Sequence, residues 1–183
     1  MNIKTLLWTL IALTAGLFTA CNNRSEDYTR MLPGSYTVSK TFDAPVEDGM
    51  GGTLIINSTD VYNQDGTSSS NGEVIVHYDS ADYGRLATLK FNISQTGVWK
   101  IENGKLIETT KQCIVVPVNV KADDRDIYRE FNNLIGDMAH EFQTDILSDP
   151  TDESKIVSFE DGVITLEYND EDLGIYTITM IKQ

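Results

Sequence analysis

Beyond residue 32, apolar and polar residues alternate with a period of two in short runs punctuated by Gly, Asn and Asp. That is the pattern of strands with one buried face, separated by turns. The runs fall at 34–41, 52–62, 72–78, 87–95, 97–102, 105–110, 113–120, 156–160, 163–168 and 174–181. Such a series of short strands predicts a mostly antiparallel sheet. Gln64-Asp65-Gly66-Thr67, Glu102-Asn103-Gly104-Lys105 and Glu160-Asp161-Gly162-Val163 place Asn-Gly or Asp-Gly between strands. Positive φ is tolerated there, so each closes a tight hairpin. Segments 49–52 and 63–71, the second including Ser68-Ser69-Ser70, read as mobile loops.

One segment changes period. Over about 123–147, Ile127, Phe131, Leu134, Ile135, Met138, Phe142 and Ile146 recur at spacings of three and four, which aligns them along one helical stripe. Asp123, Asp124 and Asp126 stand at its start, where the helix dipole favours negative charge, and Asp149-Pro150 ends it. Such an amphipathic helix covers an open end or a flank of the sheet. The alternative is a helix that docks a partner.

The first 20 residues have a different character: Lys4, an apolar run from Leu6 to Phe18, then the small residues Thr19 and Ala20. This is the layout of a cleaved secretory signal, and its uncharged stretch is shorter than the roughly 20 residues that cross a bilayer. Phe18-Thr19-Ala20-Cys21 resembles the lipobox of bacterial lipoproteins. The resemblance implies cleavage before Cys21, diacylglycerol on its thiol and a further acyl chain, of the palmitate kind, on its amine. Two or three chains at roughly 0.8 kcal/mol per buried methylene hold a protein firmly on a membrane. No Asp sits directly after Cys21, which by likeness to enterobacterial sorting implies the outer membrane, at its periplasmic face or at the cell surface. The polar run Asn22-Asn23-Arg24-Ser25-Glu26-Asp27 reads as part of a flexible tether over 21–31, and 32–183 as a single domain.

Charge narrows the partners. The chain carries a formal −14, and loss of Lys4 with the leader leaves −15. A surface so acidic repels nucleic acid and anionic lipid, which leaves the lipid anchor as the route to the membrane. With Cys21 lipidated, Cys113 has no thiol partner, and Ile114, Val115 and Val116 beside it predict an inert core position.

Leu32-Pro33-Gly34-Ser35-Tyr36, the Asp65-Gly66-Thr67 hairpin, and Gly97-Val98-Trp99 ahead of Asn103-Gly104 together resemble the lipocalin-like domains of bacterial lipoproteins over about 32–110. The resemblance implies an up-and-down meander closing into a small barrel with an apolar cavity. The helix falls before the final strands, whereas lipocalins place theirs after the barrel. Tyr36, Tyr62, Trp99 and Tyr176 lie on predicted strands, where inward rings can line a pocket and polar tips can orient a ligand.

Catalytic and metal chemistry find little support. His140-Glu141 begins a zinc-protease motif, but Thr144 stands where the second imidazole is needed, and the chain has only two histidines. Asp60 to Gly66 has the look of a calcium loop, but Val61 occupies a ligand position and no Glu closes it. No Gly-x-Ser-x-Gly elbow is present. The expectation is therefore a non-enzymatic envelope lipoprotein without cofactor or metal that binds a small apolar or amphipathic ligand. The alternative is an interaction or scaffold lipoprotein with a filled barrel.

Overall fold

Each strand pairs antiparallel with the next, and the last returns to the first, so eight strands close one barrel in chain order. The computed structural model describes residues 22–47, 50–170 and 174–183, with the backbone alone at 22–26 and 44–47 and at Met50. The elements are α1 (Asn22–Met31), β1 (Gly34–Glu47), β2 (Met50–Tyr62), β3 (Thr67–Ser80), β4 (Gly84–Glu102), β5 (Lys105–Lys121), α2 (Arg125–Ser148), β6 (Thr151–Glu160), β7 (Val163–Asp170) and β8 (Gly174–Lys182). The fold class is thus mostly β, an up-and-down closed barrel with one long helix before the final strands. The leader and Cys21 lie outside the described residues.

Ten predicted runs become eight strands because two predicted breaks, one at Gly97 and one at Lys111-Gln112, are irregularities within strands. At Gly97 the β4–β5 register shifts, leaving Lys111 opposite no residue. The two backbones approach so closely that a Cβ on Gly97 would strike the Thr109 carbonyl oxygen. Hence 87–95 and 97–102 are one strand, as are 105–110 and 113–120. Ser68-Ser69-Ser70, read as loop, lies in β3 opposite Asp60, Val61 and Tyr62. Polar composition misled there because these serines line a polar part of the barrel. Likewise Asn22–Met31 is helical, where the polar run suggested an unstructured tether.

The hairpins follow their turn chemistry. Asn103 and Gly104 have φ of 54° and 76°, and Asp161 and Gly162 have 51° and 78°, the positive pair of a two-residue type I′ turn. The β2–β3 turn is longer: Asp65 Oδ1 accepts from Thr67 N at 2.9 Å and from its hydroxyl at 2.7 Å.

Strand lengths are unequal, and this shapes the interior. β6 pairs with β5 only over Lys105 to Thr109, and β8 with β1 only from Tyr36 to Val38. The remaining halves of β4 and β5 are covered on their inward face by α2. Asp124 caps this helix, its carboxylate accepting from Asp126 N and Ile127 N at 2.8 and 3.0 Å. Ile135 and Ala139 are buried against Ala87, Leu89, Phe91, Cys113, Val115 and Val120. Phe131 meets Tyr78 and Phe142 meets Phe91, with ring centroids 4.9 and 5.3 Å apart.

The other end closes separately. Leu32, fully buried just beyond α1, joins Tyr36, Tyr62, Trp99, Leu106, Ile156, Ile164, Leu166 and Met180 in a second cluster. Lys182 Nζ donates to the carbonyls of Met31 and Pro33, satisfying acceptors left open where α1 ends. Two apolar plugs therefore occupy the two ends of the barrel.

Candidate functional site

Between the two clusters the inward face turns polar. The alternation that buries Tyr62 on β2 also turns Asp60 inward. Ser68 and Ser70 lie opposite them on β3, and Glu108 faces Asp152 across the β5–β6 ladder. With Gln95 and Gly97, these residues line a cavity of about 130 Å3. It sits at the β4–β5 bulge, near where β5 parts from β6. A larger depression of about 600 Å3 on the outer face, lined by Thr37, Ser39, Asn57, Thr59 and Asn71, is open to solvent and gathers no catalytic or charged cluster.

Two hydroxyls serve the carboxyls. Tyr62 OH donates to Glu108 Oε1 at 3.0 Å, and Ser70 Oγ to Asp60 Oδ1 at 2.6 Å. Burial raises the Glu108 pKa to about 7; the Tyr62 bond opposes the rise, and nearby Asp60 and Asp152 add to it. Near neutral pH this carboxyl is therefore divided between its two protonation states. Burial likewise raises Asp60 against hydrogen bonds from Ser70 and Ser58, and pushes Tyr62 well above the ordinary phenol range. Asp152 is also raised, first by desolvation and then by Asp149 and Asp170. Asp152 is exposed at the cavity's rim, whereas Glu108 is more deeply set and carries the larger effect. Among the described residues none of the three carboxyls has a salt-bridge partner.

Ser154 follows Asp152 on the same face of β6 and is only 2% exposed. Its Oγ lies near the Tyr168 hydroxyl but outside hydrogen-bonding geometry, and it has no partner. Burying a hydroxyl unpaired costs about 1–3 kcal/mol. Tyr168 is raised by burial and by Glu108.

Three of the four ligand-lining expectations meet in one aromatic cluster. Tyr36 and Trp99 each pack edgewise on Tyr62, with centroids 5.9 and 6.0 Å away. Tyr62 borders the cavity, whereas the other two are tied elsewhere. Tyr36 OH donates to the Leu32 carbonyl at 2.7 Å, and burial pushes its pKa up to about 12. Trp99 Nε1 donates to the carbonyls of Asn63 and Thr67, both at 3.1 Å. Tyr176 belongs to a different group, stacked on Tyr168 at 5.3 Å and edge-on to Phe42, with Lys40 Nζ 5.6 Å from its ring centre.

The rejected motifs separate in space. Asp60 points into the barrel while Asp65 closes a turn, so no calcium loop forms between them. Thr144 Oγ1 donates to the His140 carbonyl. Cys113 is buried, and burial pushes its thiol up, against the thiolate a nucleophile needs. Among the described residues no three His, Cys, Asp or Glu side chains converge as metal ligands.

Glu108, Asp152 and Ser154 were not singled out in the sequence. The available signal was parity: Leu106 inward places Glu108 inward, as Tyr62 inward places Asp60 inward. An acid on the apolar parity of a strand marks a polar interior. No protein-family model and no curated protein matches the chain, and what the structure supports is an eight-stranded antiparallel closed barrel consistent with a lipocalin-like fold.

Proposed function

We propose that the protein is a lipid-anchored, non-enzymatic binding module of the bacterial envelope whose barrel holds a small amphipathic ligand. The observation behind this reading is the polar cavity of about 130 Å3, open at its rim, that lies between two apolar plugs. Interior polar groups are costly unless satisfied, and a cavity ringed by them suits a ligand that supplies the missing partners. The volume suits an occupant of few heavy atoms better than a long acyl chain. Binding is favoured over catalysis because the hydroxyls at the site hold carboxyls, and the buried thiol is held protonated.

Lipidation at Cys21 would place the anchor one residue from α1, so the α1 end of the barrel would face the outer membrane. Either the periplasmic face or the cell surface suits this orientation.

The reading as a docking scaffold draws on the two plugs, which fill most of the barrel, and on Ile114 and Val116, which stand half exposed on β5. Native mass spectrometry of the protein purified from its own envelope separates the two. Added mass that disappears on organic extraction supports ligand binding. A clean apo mass with a co-purifying protein supports docking and overturns the first reading.

A further inference from the structure

We propose that the β5–β6 seam is a pH-sensitive gate, whose rungs next to the α2 junction part when Glu108 and Asp152 are both ionised and close when Glu108 carries a proton. The register sets these two residues directly opposite each other, one rung before the ladder ends at Thr109 and Thr151. Like charges directly opposite across an antiparallel pair weaken it, and a proton on one of them removes the repulsion. The same stretch of backbone is a wall of the polar cavity, which Glu108, Thr109, Thr110 and Asp152 all line.

No base is placed to intervene. The titratable groups facing the pair are Asp60 and Tyr62 of β2, Tyr168 and Asp170 of β7, Tyr176 of β8 and Asp149 at the end of α2. From β3 and β4 the cavity receives only neutral side chains. Lys105 and Lys155 stand at outward positions, paired with Glu153 and Glu167, and Lys111 is exposed at the β5 bulge.

The backbone is weakest at the same place. β5 and β6 pair over five positions, whereas β2 and β3 pair over thirteen. Past the last rung Thr110 N donates to the Pro150 carbonyl at 2.8 Å, and Pro150 has no N–H to return. A rung that an antiparallel ladder closes with two hydrogen bonds is thus closed with one. Helix α2 has its own hold on the barrel through Ile135, Ala139 and the Gln143–Val115 bond, so the seam can part while the helix stays seated. The β1–β8 seam is shorter still, with three pairs, but no two carboxyls oppose each other in it. It is the internal control. The gate concerns the backbone and needs no ligand, so it stands or falls apart from the binding reading.

The test is hydrogen exchange of the full chain, read by mass spectrometry at about pH 6 and about pH 8, with exchange times scaled to the intrinsic rate at each pH. An opening that releases one carboxyl from a pKa of about 7 grows about tenfold over that interval. Segments 105–110 and 151–156 should therefore lose about tenfold in protection, while the β1–β8 amides keep theirs. The loss should be insensitive to about 1 M urea, the mark of local opening. Glu108→Gln should abolish it, and Asp152→Asn, at the exposed rim, should cut it to about threefold or less; the second serves if the first does not fold. No loss at the seam, a loss undiminished in a folded variant, or a urea-accelerated loss shared equally by β2 and β3 overturns the inference, the last as global unfolding.

Discussion

Glu108 stands on the inward face of a strand, two residues from fully buried Leu106, and among the described residues its carboxyl has only the Tyr62 phenol as a hydrogen-bond donor. Its pKa of about 7 in the folded protein lies above the ordinary 4.5, so folding tightens its hold on the proton. The stability it contributes is therefore full below about pH 4.5 and lost as pH rises through about 7. By the usual conversion, that loss is about 3 kcal/mol. Glu108→Gln keeps the shape and removes the titration. Urea unfolding near pH 5 should find variant and parent about equally stable, whereas near pH 8 the variant should be the more stable. A parent whose midpoint does not fall between those pH values would show that this carboxyl is not enclosed as described. Of the site residues, the sequence named Tyr62 for its ring and noticed Asp60 only within a failed calcium loop. Glu108 looked like one acid among 28 acidic residues, because charge on a strand reads as solvent-facing until the parity of its neighbours is known.

Helix α2 was the most legible element, since the three-and-four spacing that predicted it from 123 to 147 is the spacing that buries Ile135 and Ala139. Its start was legible only as an acidic run suited to the helix dipole; that Asp124 is the cap came from the structure, where hydrogen bonds from Ile127 N and Asp126 N hold its carboxyl below its usual range. Gly136 interrupts an otherwise favourable helix, and a Cβ placed there meets nothing within 4 Å. Gly136→Ala should raise stability by about 0.8–1 kcal/mol through helix propensity alone. For a domain of this size that is a rise of about 2–4 °C in Tm, measurable by calorimetry. No gain would mean that the position is covered or the helix locally distorted. The helix also protects a sheet edge. Beyond Thr109, β5 has no strand partner on its β6 side. Gln143 Oε1 of α2 accepts from Val115 N at 3.2 Å, and two residues on, where alternation turns the backbone to the same edge, Pro117 has no N–H to offer. Together they blunt an edge that would otherwise pair with another chain.

As a whole molecule the protein is a strongly acidic barrel with polar walls and two plugged ends. Its formal charge of −14 makes the folded state repel itself, and added salt screens that repulsion. Tm should therefore rise by about 2 °C between low salt and about 0.15 M NaCl, a shift worth roughly 1 kcal/mol. The described ion pairs are mostly exposed and offer little to lose on screening. A falling Tm would show that they matter more than the net charge. Among the described residues no helix is long and apolar enough to cross a membrane. The proposed lipid on Cys21 would hold the barrel close to the bilayer.

Local physics was sufficient for part of this. Alternation of period two, positive-φ turn residues and one stretch of period 3.6 determined most of the strands, two type I′ hairpins, the long helix and an antiparallel meander, because each depends on neighbours a few residues apart. Closure was a tertiary decision, since the pairing of Tyr36 with Lys182 joins residues from opposite ends of the chain. So was the site. Asp60, Glu108, Asp152 and Ser154 are brought together by three strands separated by long stretches of sequence. Whether a carboxyl on a strand meets water or another carboxyl depends on which side of the sheet becomes the inside, and that is settled only when the barrel closes.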